Sequence, residues 1–264
     1  MGKVIAVTNQ KGGVGKTTTA INLAASLAAS DLHVLVIDSD PQGNATTGLG
    51  IAKDQSRPSL YNVLLGETEL QEAVVKSDLE GLDVVPADKN LVGANLELVE
   101  VPDRETRLRQ KLTPVRENYS FILIDCPPAL DLLTLNALMG ADSVLIPIQC
   151  EFFALEGISE LIATIDRIRE NLQHPLKIEG ILLTMYDDRT NLTRQVEADL
   201  REFFGKDVLS TVIPRSIRLA EAPSHGKPIL TYDVRSRGAE SYIQLAKEIL
   251  DRDHTTRESA QGAG

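Results

Sequence analysis

Lys3-Val4-Ile5-Ala6-Val7-Thr8-Asn9-Gln10-Lys11-Gly12-Gly13-Val14-Gly15-Lys16-Thr17-Thr18-Thr19-Ala20 decides the fold. An apolar, β-branched run passes into three glycines and then into a stretch with helical spacing. A strand over Lys3 to Thr8 and a helix over Lys16 to Ser30 are thus joined by a Gly-rich turn. Without a Cβ in the way, successive backbone N–H groups of such a turn point inward, and the helix N-terminus adds its dipole, so the turn can cradle an anionic phosphate. The widespread form G-x-x-x-x-G-K-[ST] does not hold, because its first glycine would fall on Gln10. What stands is a denser version, Lys11-Gly12-Gly13-Val14-Gly15-Lys16-Thr17-Thr18, with lysines on both sides of the glycines. A strand–helix turn that binds nothing needs one glycine and has no use for two lysines. In such a cradle Lys16 contacts the β- and γ-phosphates and the Thr17 hydroxyl ligates Mg²⁺.

Outward from this loop, apolar β-branched runs alternate with longer amphipathic stretches, the pattern of a parallel sheet covered by helices. The other predicted strands are His33 to Ile37, Leu82 to Pro86, Phe121 to Ile124, Ser143 to Ile148, Ile178 to Met185 and Val208 to Ile213. Several are apolar at nearly every position, as Phe121-Ile122-Leu123-Ile124 is, so both faces of the sheet are covered. Helices are predicted over Asn90 to Glu100, Asp103 to Glu117, Leu132 to Met139, Glu156 to Asn171, Leu192 to Phe204 and Gly238 to Asp251. Gly43 to Ser59 is rich in Gly, Thr, Asn and Ser and reads as a long loop with little regular structure. The expectation is a single α/β domain over residues 1–252, a mostly parallel twisted sheet of about seven or eight strands with helices on both faces. The polar tail 253–264 is expected to be disordered.

The chain has 264 residues, 42% hydrophobic and 25% charged, with no apolar run long enough for a membrane span. Its start enters a strand rather than a signal peptide, so a cytoplasmic protein is expected. Cys126 and Cys150 lack metal-ligand spacing and read as buried reduced thiols. The net charge of −11 opposes a polyanionic partner, but the charge is uneven. Residues 1–184 carry 15 basic and 25 acidic side chains, residues 189–237 carry 9 basic and 6 acidic. A local basic patch is what matters for electrostatic footing on nucleic acid. Arg189, Arg194, Arg215, Arg218, Lys227, Arg235 and Arg237 fall in loops or at helix ends. Taken singly, the ordinary reading of each is solvated surface charge; it is as a group that they look different. No aromatic interleaving and no helix-turn-helix accompany them, so contacts to phosphate rather than to bases are expected.

Asp38 and Asp40 follow the strand Val34-Leu35-Val36-Ile37, and Asp125 ends another, which places all three at the carboxyl edge of the sheet beside the glycine loop. Asp125 there can hold Mg²⁺ through water. Each aspartate could instead cap the turn that follows its strand.

The second lysine carries the resemblance. The loop Asn9 to Thr19 resembles the deviant Walker A ATPases, P-loop proteins whose extra lysine reaches across a dimer interface to the partner's nucleotide. With Asp38-Ser39-Asp40-Pro41-Gln42-Gly43-Asn44, Asp125-Cys126-Pro127-Pro128 and Glu221-Ala222-Pro223-Ser224-His225-Gly226-Lys227-Pro228, the chain is similar to the ParA (Soj-like) partition ATPases from residue 3 to about 250. That resemblance implies ATP and Mg²⁺ as cofactors, slow hydrolysis, and an ATP-bound homodimer with two nucleotides between the subunits. It makes Lys11, Lys16 and Asp40 catalytic, Asp40 positioning the attacking water. The nucleotide lies on Lys11, Gly12, Gly13, Val14, Gly15, Lys16, Thr17 and Thr18, with Met185, Pro214 and Ser216 near the adenine, though a core or turn role accounts for these three as well. Thr17, Asp38 and Asp125 serve the metal. Gly12 lies where the subunits approach. Arg189 and Arg218, then Arg215, Lys227 and Arg235, contact double-stranded DNA without sequence preference. The implied role is a nucleoid-associated switch in chromosome or plasmid segregation whose hydrolysis a ParB-type centromere-binding protein triggers. The strand that opens the chain leaves no N-terminal operator-binding extension, so site-specific autorepression is not expected. A ParA-like ATPase positioning another cargo, such as a carboxysome or a chemoreceptor cluster, is the nearest alternative. A MinD-like membrane switch would need an amphipathic C-terminal helix, which Arg252 to Ser259 does not supply. An iron–sulfur reductase like nitrogenase iron protein would need cysteine motifs that Cys126 and Cys150 lack.

Overall fold

The computed structural model describes residues 2–54 and 56–261, the last six by backbone alone. Its strands are β1 (Lys3–Val7), β2 (Val34–Asp38), β3 (Val75–Lys76), β4 (Leu82–Val85), β5 (Phe121–Asp125), β6 (Ser143–Gln149), β7 (Lys177–Tyr186) and β8 (Val208–Pro214). They form one sheet in the order β3-β4-β2-β5-β1-β6-β7-β8. Every pairing is parallel except that of β3 with β4. The expected α/β class, with a mostly parallel sheet, is what the chain adopts.

The two-residue period of the strands splits their side chains between two cores. Val4, Ala6, Leu35 and Ile37 point to one, and Ile5, Val7, Val34 and Val36 to the other. The first core is closed by Leu60, Leu91, Leu133, Ile158 and Leu200, from five helices on that face. The second is closed by Ala20, Leu23 and Leu27 of the helix Lys16–Ala28 and by Tyr242, Leu245 and Ile249 of the helix Arg237–Gln261. Both faces being covered explains the uninterrupted apolar runs of β1, β2 and β5.

Three expectations are corrected. The segment read as a helix from Asp103 to Glu117 is helical only over Arg107–Leu112, with a short 3₁₀ turn at Arg116–Asn118. Asp103 has φ +55 and Pro114 bars continuation, since its ring clashes with the preceding turn. The loop Gly43 to Ser59 contains a short helix, Asn44–Gly48, that starts at Gly43 with φ +63. Finally, the last helix continues through Gln261 instead of leaving a structureless tail from 253; no Gly or Pro interrupts it after Gly238, and polar composition alone does not stop a helix already anchored by packing. Residues 262–264 lie outside the described residues.

Candidate functional site

The parallel register aligns the carboxyl ends of three adjacent strands: Val7 of β1 lies opposite Asp125 of β5, and Asp125 opposite Asp38 of β2. The glycine loop leaves β1 at this edge. Asn9 fixes its start by donating from Nδ2 to the Pro147 carbonyl (2.8 Å) and accepting the Lys11 N–H on Oδ1 (3.0 Å). Thr184 of β7 fixes the other end, its hydroxyl donating to the Val14 carbonyl at 2.8 Å. Gly13 (φ +75) and Gly15 (φ +89) hold left-handed conformations that side chains disfavour, so the loop's curvature depends on them. Lys16 is buried, and its ammonium donates to the Lys11 carbonyl at 3.0 Å, curling over the nest. Burial lowers its pKa, an effect opposed by the nearby Asp125.

Lys11 behaves differently. Its side chain is 52% exposed and its ammonium is ion-paired to Glu151, just past the end of β6, outside the cradle it flanks. A Cβ at Gly12 would meet nothing within 4 Å among the described residues, so this position faces open space there.

The aspartates divide their work. Asp38, fully buried, accepts on Oδ2 from the backbone and hydroxyl of Thr46, both at 2.7 Å, and on Oδ1 from the Asp40 N–H at 3.2 Å. It ties the following loop to the sheet, and burial pushes its pKa up to about 6 despite those bonds. Asp125 is equally buried, yet neither carboxylate oxygen has a hydrogen-bond partner among the described residues. Burial first, and the Asp38 charge next, hold its pKa well above the usual range, while the Thr17 hydroxyl opposes this. Orphaned buried carboxylate oxygens beside a threonine hydroxyl and a phosphate nest fit Mg²⁺, which takes few protein ligands and fills its octahedron with water and phosphate oxygens. Among the described residues no cluster of three or more His, Cys, Asp and Glu offers an all-protein metal cage. Asp40 is half-buried and accepts the Gln42 N–H at 2.9 Å.

At the ends of β7 and β8, Tyr186 lies opposite Pro214, and Met185 has the strained φ of +48. Met185 and Pro214 are thereby brought to one corner beside Thr184, whose side chain touches the glycine loop. Ser216 is spent as a helix cap, its hydroxyl facing the Leu219 N–H. Arg215 follows directly, donating its N–H to the Tyr186 carbonyl at 3.2 Å. Arg189 reaches the same corner, gripping Asp187 with two bonds of 2.8 and 2.7 Å, and these bonds, with Arg215 adding its charge, hold the Asp187 pKa down at about 2. Arg218 pairs with Glu221 (3.1 Å) and Asp233 (3.5 Å), which brings it to the turn bearing Arg235. Arg189, Arg215, Arg218, Lys227 and Arg235 are all exposed. No helix of the described residues is long and apolar enough to cross a membrane.

Sequence reasoning missed Glu151, Thr46 and Thr184. Glu151 had a signal of the kind that exposed Asp125, an acid at the end of an apolar strand. Thr46 and Thr184 had none, for their roles are set by long-range contacts. A cleft of 1330 Å³ opens at the opposite edge of the sheet, lined by Lys3, Asp142, His174 and Glu248. A backbone phosphate nest is shallow by construction, so size does not locate it.

A family model described as an AAA domain matches residues 2–178. The chromosome partitioning protein ParA of Caulobacter vibrioides is 52% identical over 260 residues, 98% of this chain and 97% of that protein. The sporulation initiation inhibitor protein Soj of Bacillus subtilis is 54% identical over 249 residues, 94% of this chain and 98% of its own. Among solved structures, cobyrinic acid a,c-diamide synthase of Mycobacterium smegmatis with bound ADP and magnesium is 37% identical with a TM-score of 0.83, covering 95% of this chain and 94% of that one. The cell division ATPase MinD of Pyrococcus furiosus is 26% identical with a TM-score of 0.79, covering 95% and 99%. The glycine loop with its two lysines, the aspartates at the sheet edge and this near full-length identity agree, and the chain belongs to the ParA/Soj family of chromosome-partitioning ATPases.

Proposed function

We propose that the chain is an ATP-driven switch that holds double-stranded DNA as a homodimer and releases it on hydrolysis. ATP sits in the nest of residues Gly12 to Thr18, with Lys16 on its β- and γ-phosphates. Thr17 and Asp125 hold Mg²⁺, which neutralises charge on the transferring phosphoryl group. Asp38 sets the loop that carries Asp40, and Asp40 orients the attacking water. Phosphoryl transfer depends on positioning and charge neutralisation, and one chain leaves the γ-phosphate short of a cation in the position an arginine finger would take. Lys11 supplies it from the second subunit.

The observation that carries this reading is the placement of Lys11, a half-exposed lysine ion-paired to Glu151, beside an open Gly12. Met185 and Pro214 flank the adenine, and Ser216 shapes the segment that follows them.

Arg189, Arg215, Arg218, Lys227 and Arg235 bind duplex phosphates. Each contact is weak, and joining two subunits turns the second engagement into an intramolecular one. The dimer therefore holds DNA far better than the monomer. A ParB-type centromere-binding protein, itself on DNA, accelerates hydrolysis. The switch works in the cytoplasm on nucleoid DNA, in chromosome or plasmid segregation. The test is Arg218→Glu, assayed by anisotropy of a labelled duplex at low salt with ATP and Mg²⁺. The reading expects DNA affinity to fall at least about tenfold with dimerisation intact; unchanged affinity overturns it.

A further inference from the structure

The loop that follows Asp40 and the segment that carries the basic patch meet backbone to backbone. Beyond the helix Asn44–Gly48 the chain turns at Gly50 (φ +77), whose N–H donates to the Thr47 carbonyl at 3.0 Å. Facing it is Gly226 (φ +63), which closes the 3₁₀ turn Ala222–His225. A Cβ on Gly50 would stand 2.9 Å from the Gly226 carbonyl oxygen, and one on Gly226 would stand 2.9 Å from the Gly50 Cα. Neither position can carry a side chain without parting the two segments. Nearby, a Cβ on Gly48 would lie 3.5 Å from Pro223. A second tie comes from the phosphate-binding helix: Asn22, buried, accepts the Ile229 N–H at 2.7 Å while its amide donates to the Thr18 carbonyl at 2.7 Å.

We propose that the Gly50–Gly226 contact is the junction through which occupancy of the nucleotide site sets the position of the basic segment Arg215–Lys227. On the near side, Asp38 grips Thr46 through two bonds, and the Ile51 N–H returns to the Thr46 carbonyl at 3.1 Å, so a shift of the Asp40 loop is carried to Gly50. On the far side, the Lys227 N–H bonds the Ala222 carbonyl, and Arg218 and Glu221 belong to the helix that runs directly into that turn. Close-packed backbone has no slack to absorb such a shift, whereas two side chains would. Gly50 and Gly226 are positioning residues: they touch neither nucleotide nor DNA. The junction rests on the proposed DNA-binding role of the basic segment.

Three purified full-length variants test it: Gly50→Ala, Gly226→Ala and, as a strain-matched control, Gly81→Ala. Gly81 (φ +80) makes an equally close approach, 2.9 Å to the Leu32 carbonyl, at the far edge of the sheet. The quantity read is the ratio of duplex affinity in ATP to that in ADP, beside fluorescent ATP binding and the melting temperature. Gly50→Ala and Gly226→Ala are expected to bind ATP normally while that ratio falls at least about tenfold, and Gly81→Ala to lose comparable thermal stability with the ratio intact. An unchanged ratio in the junction variants, or an equal loss in Gly81→Ala, overturns the proposal. If either junction variant does not fold, Asn22→Ala, which removes the second tie, must lower the ratio. Arg218→Glu separates the two readings. Duplex binding that survives Arg218→Glu refutes the DNA role, while loss there with an intact ratio in Gly50→Ala refutes the junction alone.

Discussion

Replacing Asp125 by Asn should make the ligand-free protein more stable and its Mg²⁺–ATP complex weaker. Both oxygens of Asp125 are buried without a hydrogen-bond partner among the described residues, and Asp38 stands on the neighbouring strand in register. A buried, unsatisfied polar group costs about 1–3 kcal/mol, more when charged, and the amide is the same shape without the charge. The gain is therefore about 2 kcal/mol, or roughly 5 °C in the melting temperature for a domain of this size. The pH dependence follows from the raised pKa. The folded state binds this proton more tightly than the unfolded state, so the stability is present at low pH and is lost as pH rises past the ordinary carboxylate range. The advantage of Asn should accordingly be largest near pH 8 and shrink towards pH 5. Differential scanning fluorimetry across that range, with and without ATP and Mg²⁺, reads both effects. Wild type should gain melting temperature from ATP with Mg²⁺ well beyond ATP with EDTA, and Asp125→Asn should not. A ligand-free Asn variant that melts below wild type at pH 8 would mean that the buried Asp125 carboxylate carries no such cost.

Other consequences are cheaper to check. Gly12→Val should fold and bind ATP as a monomer, since a Cβ there meets nothing within 4 Å among the described residues, yet fail to dimerise on light scattering. Arg189→Ala breaks only an exposed pair with Asp187 and should leave the melting temperature unchanged within about 1 °C, while the slope of log affinity for duplex against log salt becomes shallower by about 1. Burial pushes the Cys150 thiol up to about 11 and Cys126 further still, so iodoacetamide at pH 7.5 should alkylate neither in the native protein and both in guanidinium, by intact mass.

The cradle was legible because everything that makes it is contiguous: a strand, glycines that take left-handed φ, and a helix N-terminus. Asp38 and Asp125 were legible for a related reason, since an acid at the end of an apolar strand in a parallel sheet has one edge to occupy. Pro114 was the overlooked signal in the helix drawn over Asp103 to Glu117. The partnership of Lys11 with Glu151, and the meeting of Gly50 with Gly226, join segments far apart in the chain whose local sequences carry no mark of each other. Asp38 shows the same limit at closer range: its bonds to Thr46 make it an anchor for the loop, a role that the strand-end position shares with metal binding and that only the folded contact distinguishes.

If each nucleotide is completed by the other subunit's Lys11, mixed dimers of two inactive variants should regain turnover. Lys11→Ala and Asp40→Ala should each be inactive alone. Mixed in equal amounts with ATP, Mg²⁺ and DNA, half of the dimers pair the two variants, and each such dimer has one site with its own Asp40 and the partner's Lys11. Turnover should then return to about a quarter of wild type. A mixture as inactive as its parts would mean that Lys11 serves the nucleotide of its own chain.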